Sequence, residues 1–417
     1  MRSGLSNTFD AAVIGGGIAG CAAAFALQRE GFRVALAERT SVYRDRVRGE
    51  GLAPWGAVEA ARLGITEVLE HAGARELPFW DTWRGQQRRR DVLAQRDPHR
   101  SGVLTFHHHA AQTALLDLAA RTGVHVRRPA RATPDHRRGE CWHVQLLDGE
   151  IRSRLLIIAS GRAGPVRCVP LVRDPVTHTV TGALMRAPHA DPDAVATART
   201  PRGRLLAFPL REGLVRVYHM TAGPPTGRAD GVAAARTLML EDITSAIPPL
   251  ARDAEFVGRS ASFPGASFWP QVITGPNIAY IGDAAGVNDP SIGQGLAIAL
   301  RDVREFVDAL RGTSTLERAL ERYRARRARY FAVQRLVAIV SWTLDTPGPG
   351  GEQARNQLRT GATPARARLL QEIRRDPAAV CADTRTAAIL LGVPKGDSSL
   401  KGLSRLVENA PYSHQQD

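Results

Sequence analysis

The chain has 417 residues, 43% of them hydrophobic, enough to bury a full core, and its length predicts two interlocked domains. The formal net charge is +15, and of the 56 lysines and arginines only Lys395 and Lys401 are lysine. Arginine scattered in this way reflects a GC-rich genome more than a designed patch, so clusters such as Arg88–Arg90 and Arg324–Arg329 read as solvated faces, nucleic acid is excluded as a partner, and no apolar stretch is long enough to cross a bilayer.

The first predicted element is a buried parallel strand over Phe9–Ile14, ending in Gly15-Gly16-Gly17-Ile18-Ala19-Gly20. Gly15 permits a sharp turn, Gly17 permits close approach of the backbone to a phosphate, and Gly20 lets the following helix pack on the strand. That helix is predicted over Ile18–Arg29, its N–H groups at Ile18, Ala19 and Gly20 and its positive dipole end facing a pyrophosphate. A second strand over Arg33–Ala37 ends at Glu38 and Arg39, the spacing at which an acidic residue bonds an adenosine ribose. The alternative reading of this segment is a secretory signal, since Ile18-Ala19-Gly20-Cys21 resembles a lipoprotein cleavage box. Asp10, the three glycines and an idle Glu38 weigh against it.

Downstream, a helix is predicted over Trp55–Glu70, strands within Leu77–Leu104, a helix over Ala110–Arg121, and a parallel strand Val124–Val126 that sets Val126 beside the adenine. His107, His108 and His109 read as strand residues pointing to alternate faces, which excludes a metal site. A hairpin over Cys141–Leu147 and Arg152–Ala159 leads to Ser160. Alternating strands are predicted at Thr177–Met185, Arg204–Leu210 and Leu214–Met220, and a helix over Ala229–Ile247. Cys21, Cys141, Cys168 and Cys381 have no CxxC or metal-ligand spacing, so free thiols and a cytoplasmic location are expected, and a disulfide-reductase chemistry is not.

The second signature is Tyr280-Ile281-Gly282-Asp283-Ala284-Ala285, continuing to Asp289-Pro290-Ser291-Ile292-Gly293-Gln294-Gly295. A strand over Ile278–Ile281 ends at Asp283, whose carboxylate can accept a bond from a ribityl hydroxyl. Pro290 makes a rigid turn, and Gly293 and Gly295 open a helix through Leu296 whose N–H groups can face the pyrimidine edge of a flavin. A helix follows from Leu316 to about Ala338. The apolar patch Leu336–Trp342 reads as packed or interfacial, and a break at Pro347–Gly351 introduces a helical segment from Glu352 to Arg375. The polar residues from Lys395 read as a flexible tail.

With both signatures the chain resembles the FAD-dependent monooxygenases of the para-hydroxybenzoate hydroxylase type over about Phe9–Arg327. The resemblance implies an α/β fold: a Rossmann-like FAD-binding domain, an interleaved mixed β-sheet substrate domain and a helical C-terminal segment. The expected boundaries are residues 8–76, 102–169 and 274–312 for FAD, 77–101 and 170–273 for substrate, 313–395 for the helical segment and 396–417 for the tail. It also places an FAD-contacting arginine at Arg48, with Arg46 second, where the plain reading is a surface loop. The family's Asp-Gly motif appears instead as Ala159-Ser160-Gly161-Arg162, the version found in flavin halogenases and geranylgeranyl-reductase-like proteins, and Gly286 stands where many hydroxylases carry histidine.

The resemblance implies hydroxylation or epoxidation of a small apolar or aromatic metabolite, with O2 consumed through a flavin C4a-hydroperoxide and NAD(P)H as a transient donor or a separate flavin reductase in its place. A reductase or dehydrogenase remains the alternative, and a non-catalytic flavin-binding or interaction protein the alternative of another class. A halogenase using a catalytic lysine is disfavoured, because both lysines fall in the tail. The catalytic side chains are left unknown. Arg211 and His219 are the candidate polar anchors, with Tyr218, Phe263, Phe268 and Trp269 on segments expected to face the flavin.

Overall fold

The computed structural model describes residues 8–162, 169–225, 229–361 and 363–394. In chain order the first half forms β1 (Thr8–Ile14), α1 (Ile18–Arg29), β2 (Val34–Ala37), β3 (Gly51–Leu52), α2 (Pro54–Leu63), α3 (Thr66–His71), β4 (Arg75–Leu77), β5 (Phe79–Arg84), β6 (Gln87–Val92), α4 (Leu93–Arg96), β7 (Val103–Thr105), α5 (His108–Arg121), β8 (His125–Arg127), β9 (Thr133–Arg138), β10 (Cys141–Leu146) and β11 (Gly149–Ile158). The second half forms β12 (Leu171–Arg173), β13 (His178–Arg186), β14 (Ala194–Thr200), β15 (Gly203–Pro209), β16 (Leu214–Ala222), α6 (Ala229–Ala246), α7 (Pro248–Ala251), β17 (Glu255–Gly265), β18 (Phe268–Pro270), β19 (Thr274–Gly275), β20 (Ile278–Tyr280), α8 (Gly295–Arg311), α9 (Leu316–Asp345), α10 (Pro349–Thr360), α11 (Pro364–Arg375) and α12 (Thr384–Leu391).

Among the described residues two large sheets dominate. The first runs β19-β20-β11-β1-β2-β8, with β10 and β9 added at β11. Its centre is parallel: β1 pairs with β2 and β11, β2 with β8, and β11 with β20. The central strands are buried along Ala11–Ile14, Val34–Ala37 and Leu155–Ile158, because α1 and its neighbours shield them from water. The second sheet runs β17-β13-β16-β15-β14-β5-β6 and is antiparallel except where β14 meets β5. The α/β architecture and the helical C-terminal segment are those expected from the sequence.

Several local expectations differ. The helix predicted over Trp55–Glu70 is two, because Gly64 ends α2 in the left-handed region at φ 73°. The three histidines are not on a strand: His107 is the N-cap of α5, and His108 and His109 begin the helix. The patch Leu336–Trp342 continues α9, with Leu336, Val340 and Leu344 packed in a cluster with residues of α10, α11 and α12. Cys21, Cys141 and Cys381 are free; Cys168, Lys395 and the expected tail lie outside the described residues. Among the described residues no helix is long and apolar enough to cross a membrane.

Candidate functional site

The first glycine turn is built as its spacing requires. Gly15 lies at φ 110°, and a Cβ on it would sit 2.5 Å from the Ala159 carbonyl oxygen. This is where the tips of β1 and β11 close on each other. Gly17 differs: its φ is −73°, and a Cβ there would meet only Gln112 Nε2, at 3.9 Å. Gly17 is also the N-cap of α1 and supplies no side-chain cap, so open space lies beside the amide end of the helix.

Glu38 at the tip of β2 is buried, and its carboxylate accepts from Gly16 N and Thr40 N, each at 2.6 Å. The Tyr43 hydroxyl and the Cys21 thiol both donate to the Gly16 carbonyl. The Arg128 guanidinium lies 4.1 Å from the Tyr43 ring centroid and donates to Thr40 O at 2.7 Å. Burial pushes the Cys21 thiol and the Tyr43 hydroxyl well above their ordinary values, so both stay neutral. Val126 pairs with Leu36 at the strand edge beside Glu38. Tyr43 and Arg128 were not singled out by sequence reasoning; an aromatic and an arginine at loop positions give no periodic signal.

The second motif docks onto the first. A Cβ on Gly282 would lie 2.9 Å from Ala19, and Gly282 N donates to Asp302 Oδ2 at 2.8 Å. Asp283 follows in a short 3₁₀ turn. Its carboxylate faces Arg162, opposing the fall in that guanidinium's pKa that burial causes. Asp289 accepts from Ser291 N at 2.9 Å and so caps the turn Pro290–Ile292. Trp55 Nε1 donates to Gln294 Oε1 at 2.7 Å, holding the entry to α8, and among the described residues no atom outside the helix's own turn lies within 4 Å of where a Gly295 Cβ would stand.

The arginine loop completes the convergence. A Cβ on Gly49 would rest 3.5 Å from Leu296, placing the loop carrying Arg46 and Arg48 over the head of α8. His108 Nδ1 donates to Gly49 O at 2.9 Å from the start of α5, and burial pushes that imidazole down to about 4. Two helix ends without side-chain caps, at Gly17 and Gln294, bracket one region together with Glu38, Asp283 and the arginine loop. The room at Gly17 and Gly295 and the donor set fit an extended dinucleotide carrying a flavin.

The substrate sheet offers β16 to this region by one face only, since strand residues alternate. Arg216 and Tyr218 point to the loop: Arg216 Nη2 lies 2.8 Å from Asp45 Oδ1, and the Tyr218 hydroxyl reaches Glu50 Oε2 at 2.7 Å. Phe208 packs edge-on to Tyr218, with ring centroids 6.2 Å apart. His219 faces the other way. Its Nε2 lies 2.8 Å from Asp242 Oδ2 on α6, so the sheet itself separates it from the arginine loop. Arg211 is exposed in the β15–β16 turn and donates to Gly73 O at 2.9 Å. Neither predicted anchor joins the convergence. Phe263 and Phe268 flank the Arg162 guanidinium at 5.7 and 5.4 Å, and Trp269 is buried edge-on to Phe331. Arg216 and Glu50, both fully buried, are further site residues without a predicted role. The signal for Arg216 was its place two residues from Tyr218 on one strand.

The model of the FAD binding domain family matches residues 8–337. Squalene monooxygenase of Mus musculus is 22% identical over 358 residues, 79% of this chain and 59% of the mouse protein, so the chain spans less than two thirds of that relative. Squalene epoxidase erg1 of Aspergillus fumigatus is 42% identical over 64 residues, 15% of this chain and 13% of that protein. Among solved structures, p-nitrophenol 4-monooxygenase PnpA from Pseudomonas putida DLL-E4 superposes with a TM-score of 0.71 at 17% identity, covering 92% of this chain and 97% of its own. The myxobacterial chondrochloren halogenase CndH gives 0.69 at 20%, covering 92% and 96%. These structural likenesses establish the fold, and the match over residues 8–337 establishes the lineage: the chain belongs to the FAD binding domain family.

Proposed function

We propose that this FAD-dependent oxidoreductase is a monooxygenase that hydroxylates or epoxidises a small apolar or aromatic metabolite. The observation that carries the reading is the contact of Gly282 with Ala19 and of Gly49 with Leu296, which joins the segments Gly15–Gly20, Arg46–Leu52 and Gly282–Leu296 in a chain of this family. Residues 8–76, 102–169 and 274–312 form the FAD unit in this reading, 77–101 and 170–273 the substrate unit, and 313–395 the helical segment. The α1 amides at Ile18, Ala19 and Gly20 hold the pyrophosphate beside Gly15 and Gly17, and Glu38, Arg39 and Val126 hold the adenosine. Asp283 holds the ribityl chain, Arg48 and Arg46 contact the cofactor from their loop, and Pro290, Gly293, Gly295 and Leu296 hold the flavin ring.

When bound, FAD would supply two electrons drawn from NAD(P)H or from a separate flavin reductase, the chemistry by which one oxygen atom of O2 would enter the substrate and the other leave as water. The chain's task is to hold an apolar substrate against the ring and exclude bulk water, for which Phe208 and Tyr218 supply the wall. The relatives named for squalene oxygenation support the oxygenase assignment. A reductase is the second reading, favoured by Ser160 at the tip of β11 where hydroxylases carry aspartate.

The test is to reduce the purified protein without air, admit ¹⁸O2 with a panel of apolar and aromatic metabolites, and analyse products by mass. Incorporation of one labelled oxygen supports the monooxygenase. Hydrogenated or dehydrogenated products without label replace it with the reductase reading.

A further inference from the structure

The Tyr218 hydroxyl has more acceptors than protons. It contacts Glu50 Oε2 at 2.7 Å and also the Arg48 carbonyl oxygen, at hydrogen-bonding range. A phenol carries one O–H, and a carbonyl oxygen and an ionised carboxylate only accept. With Glu50 ionised, one of these two contacts sets oxygen against oxygen with no hydrogen between them. The conflict disappears if Glu50 carries a proton: its O–H donates to Tyr218, and Tyr218 donates to Arg48.

The other Glu50 oxygen agrees. Oε1 is buried, and among the described residues its partner is Arg216 Nη2 at 3.1 Å, an ion-pair contact outside good hydrogen-bond geometry, which serves a carboxylate oxygen poorly and is tolerable for the carbonyl oxygen of an acid. Of the two N–H groups on Arg216 Nη2, the well-aligned hydrogen bond goes to Asp45 Oδ1, at 2.8 Å, closer than Glu50. Arg216 thus has its counter-ion in Asp45, and Glu50 completes a neutral set when protonated.

We propose that Glu50 is a positioning residue held as the neutral acid, whose proton acts through Tyr218 to fix the Arg48 backbone and with it the loop that meets FAD. The proposal rests on the assignment of Arg48 to FAD made above. The groups facing Glu50 are Arg216 and Tyr218 from β16 and Asp45 from its own loop. Next to them at the head of α5 stand His107, coupled to Asp45 and Arg216, and His108, coupled to Arg48 and Arg216. Burial outweighs the pull of Arg216 and pushes the Glu50 carboxyl up to about 8. Above that value Tyr218 turns its proton to the carboxylate and the Arg48 carbonyl loses its donor.

Two measurements test this. In the apoprotein, infrared spectra are compared for wild type and Glu50→Gln; a protonated-carboxyl band that fades as the pH rises through about 8, and is absent from the variant, is expected. Absence of that band from the wild type overturns the proposal. FAD affinity is then titrated by flavin fluorescence across the same range. Wild type is expected to weaken several-fold on the alkaline side. Glu50→Gln, whose amide donates at every pH, stays flat, and Tyr218→Phe is weaker and also flat. Parallel slopes in wild type and Glu50→Gln overturn the proposal, and Tyr218→Phe repeats the test if the glutamine variant does not fold. Arg48→Ala separates the two assignments: unchanged FAD affinity there removes Arg48 from the cofactor, while the infrared titration still decides whether Glu50 holds a proton.

Discussion

Arg327 on α9 and Asp302 on α8 form an ion pair wholly shielded from solvent, with Arg327 Nε 3.1 Å from both carboxylate oxygens. Asp302 also accepts from Tyr330 at 2.6 Å and from Gly282 N at 2.8 Å. The long helix α9 therefore fixes, through one carboxylate on α8, the turn that carries Asp283. Burial raises the Asp302 pKa, and Arg327, Tyr330 and Gly282 N hold it down. Arg327→Met strands that carboxylate, so the expected cost is about 3–5 kcal/mol in urea unfolding. Adding Asp302→Asn to it should restore part of the loss; a double variant no better than the single one removes the stranded charge as the cause.

Gly15 and Gly17 stand two residues apart and answer differently to alanine. Gly15→Ala combines φ 110° with a Cβ 2.5 Å from the Ala159 carbonyl oxygen, so the protein itself should be destabilised by several kcal/mol. Among the described residues, Gly17→Ala meets no atom beyond its own turn nearer than 3.9 Å. It should melt within a few degrees of wild type as apoprotein yet bind FAD at least ten-fold more weakly. Equal apoprotein melting temperatures for the two variants would contradict the steric argument, and undiminished FAD affinity in Gly17→Ala would take the pyrophosphate away from this turn.

Glu38 has two tasks, and one substitution cannot separate them. Its oxygens already accept from Gly16 N and Thr40 N, so Glu38→Ala should disturb the glycine turn as well as any ribose contact, costing about 1–3 kcal/mol through the unsatisfied buried amides. Asp283→Ala probes the other end of the cofactor. Its loss should lower the flavin content of the purified protein; full flavin occupancy in that variant would refute the ribityl assignment.

The parallel half of the fold was legible because its signals are local. An apolar run, three glycines at fixed spacing and an acid at the next strand tip each follow from one stretch of chain, and the structure sets Phe9–Ile14, Ile18–Arg29 and Glu38 where those signals put them. The substrate sheet was less legible. β14, with sequence AVATART, and the eleven-residue β17 lack strong alternation and exist because both have partners far away in sequence. His219 shows the same limit at the level of one side chain. It sits on a correctly predicted strand, but which face meets α6 depends on packing that no local pattern records. Glu50 and Arg216 lie 166 positions apart in the chain, and their pairing emerges only once β16 is laid across the arginine loop.

His108 makes the acid side of the stability curve testable. Its Nδ1–H donates to the Gly49 carbonyl, and burial, reinforced by Arg48, His109 and Arg216, pushes the imidazole from an ordinary 6.5 down to about 4. The folded state thus disfavours the imidazolium that the unfolded chain accepts below 6.5. Stability from this residue is present above 6.5 and is lost as the pH falls through about 4. Glu50 acts with the opposite sign. Its raised pKa contributes stability below 4.5 that is lost as the pH rises through about 8. His108→Asn can still donate to Gly49 but does not titrate, so it should lose less stability than wild type between pH 6.5 and 4. Urea midpoints at the two ends of that window give the comparison. An equal loss in both proteins would show that the acid sensitivity comes from other groups, while a flatter variant would place a neutral imidazole under the arginine loop.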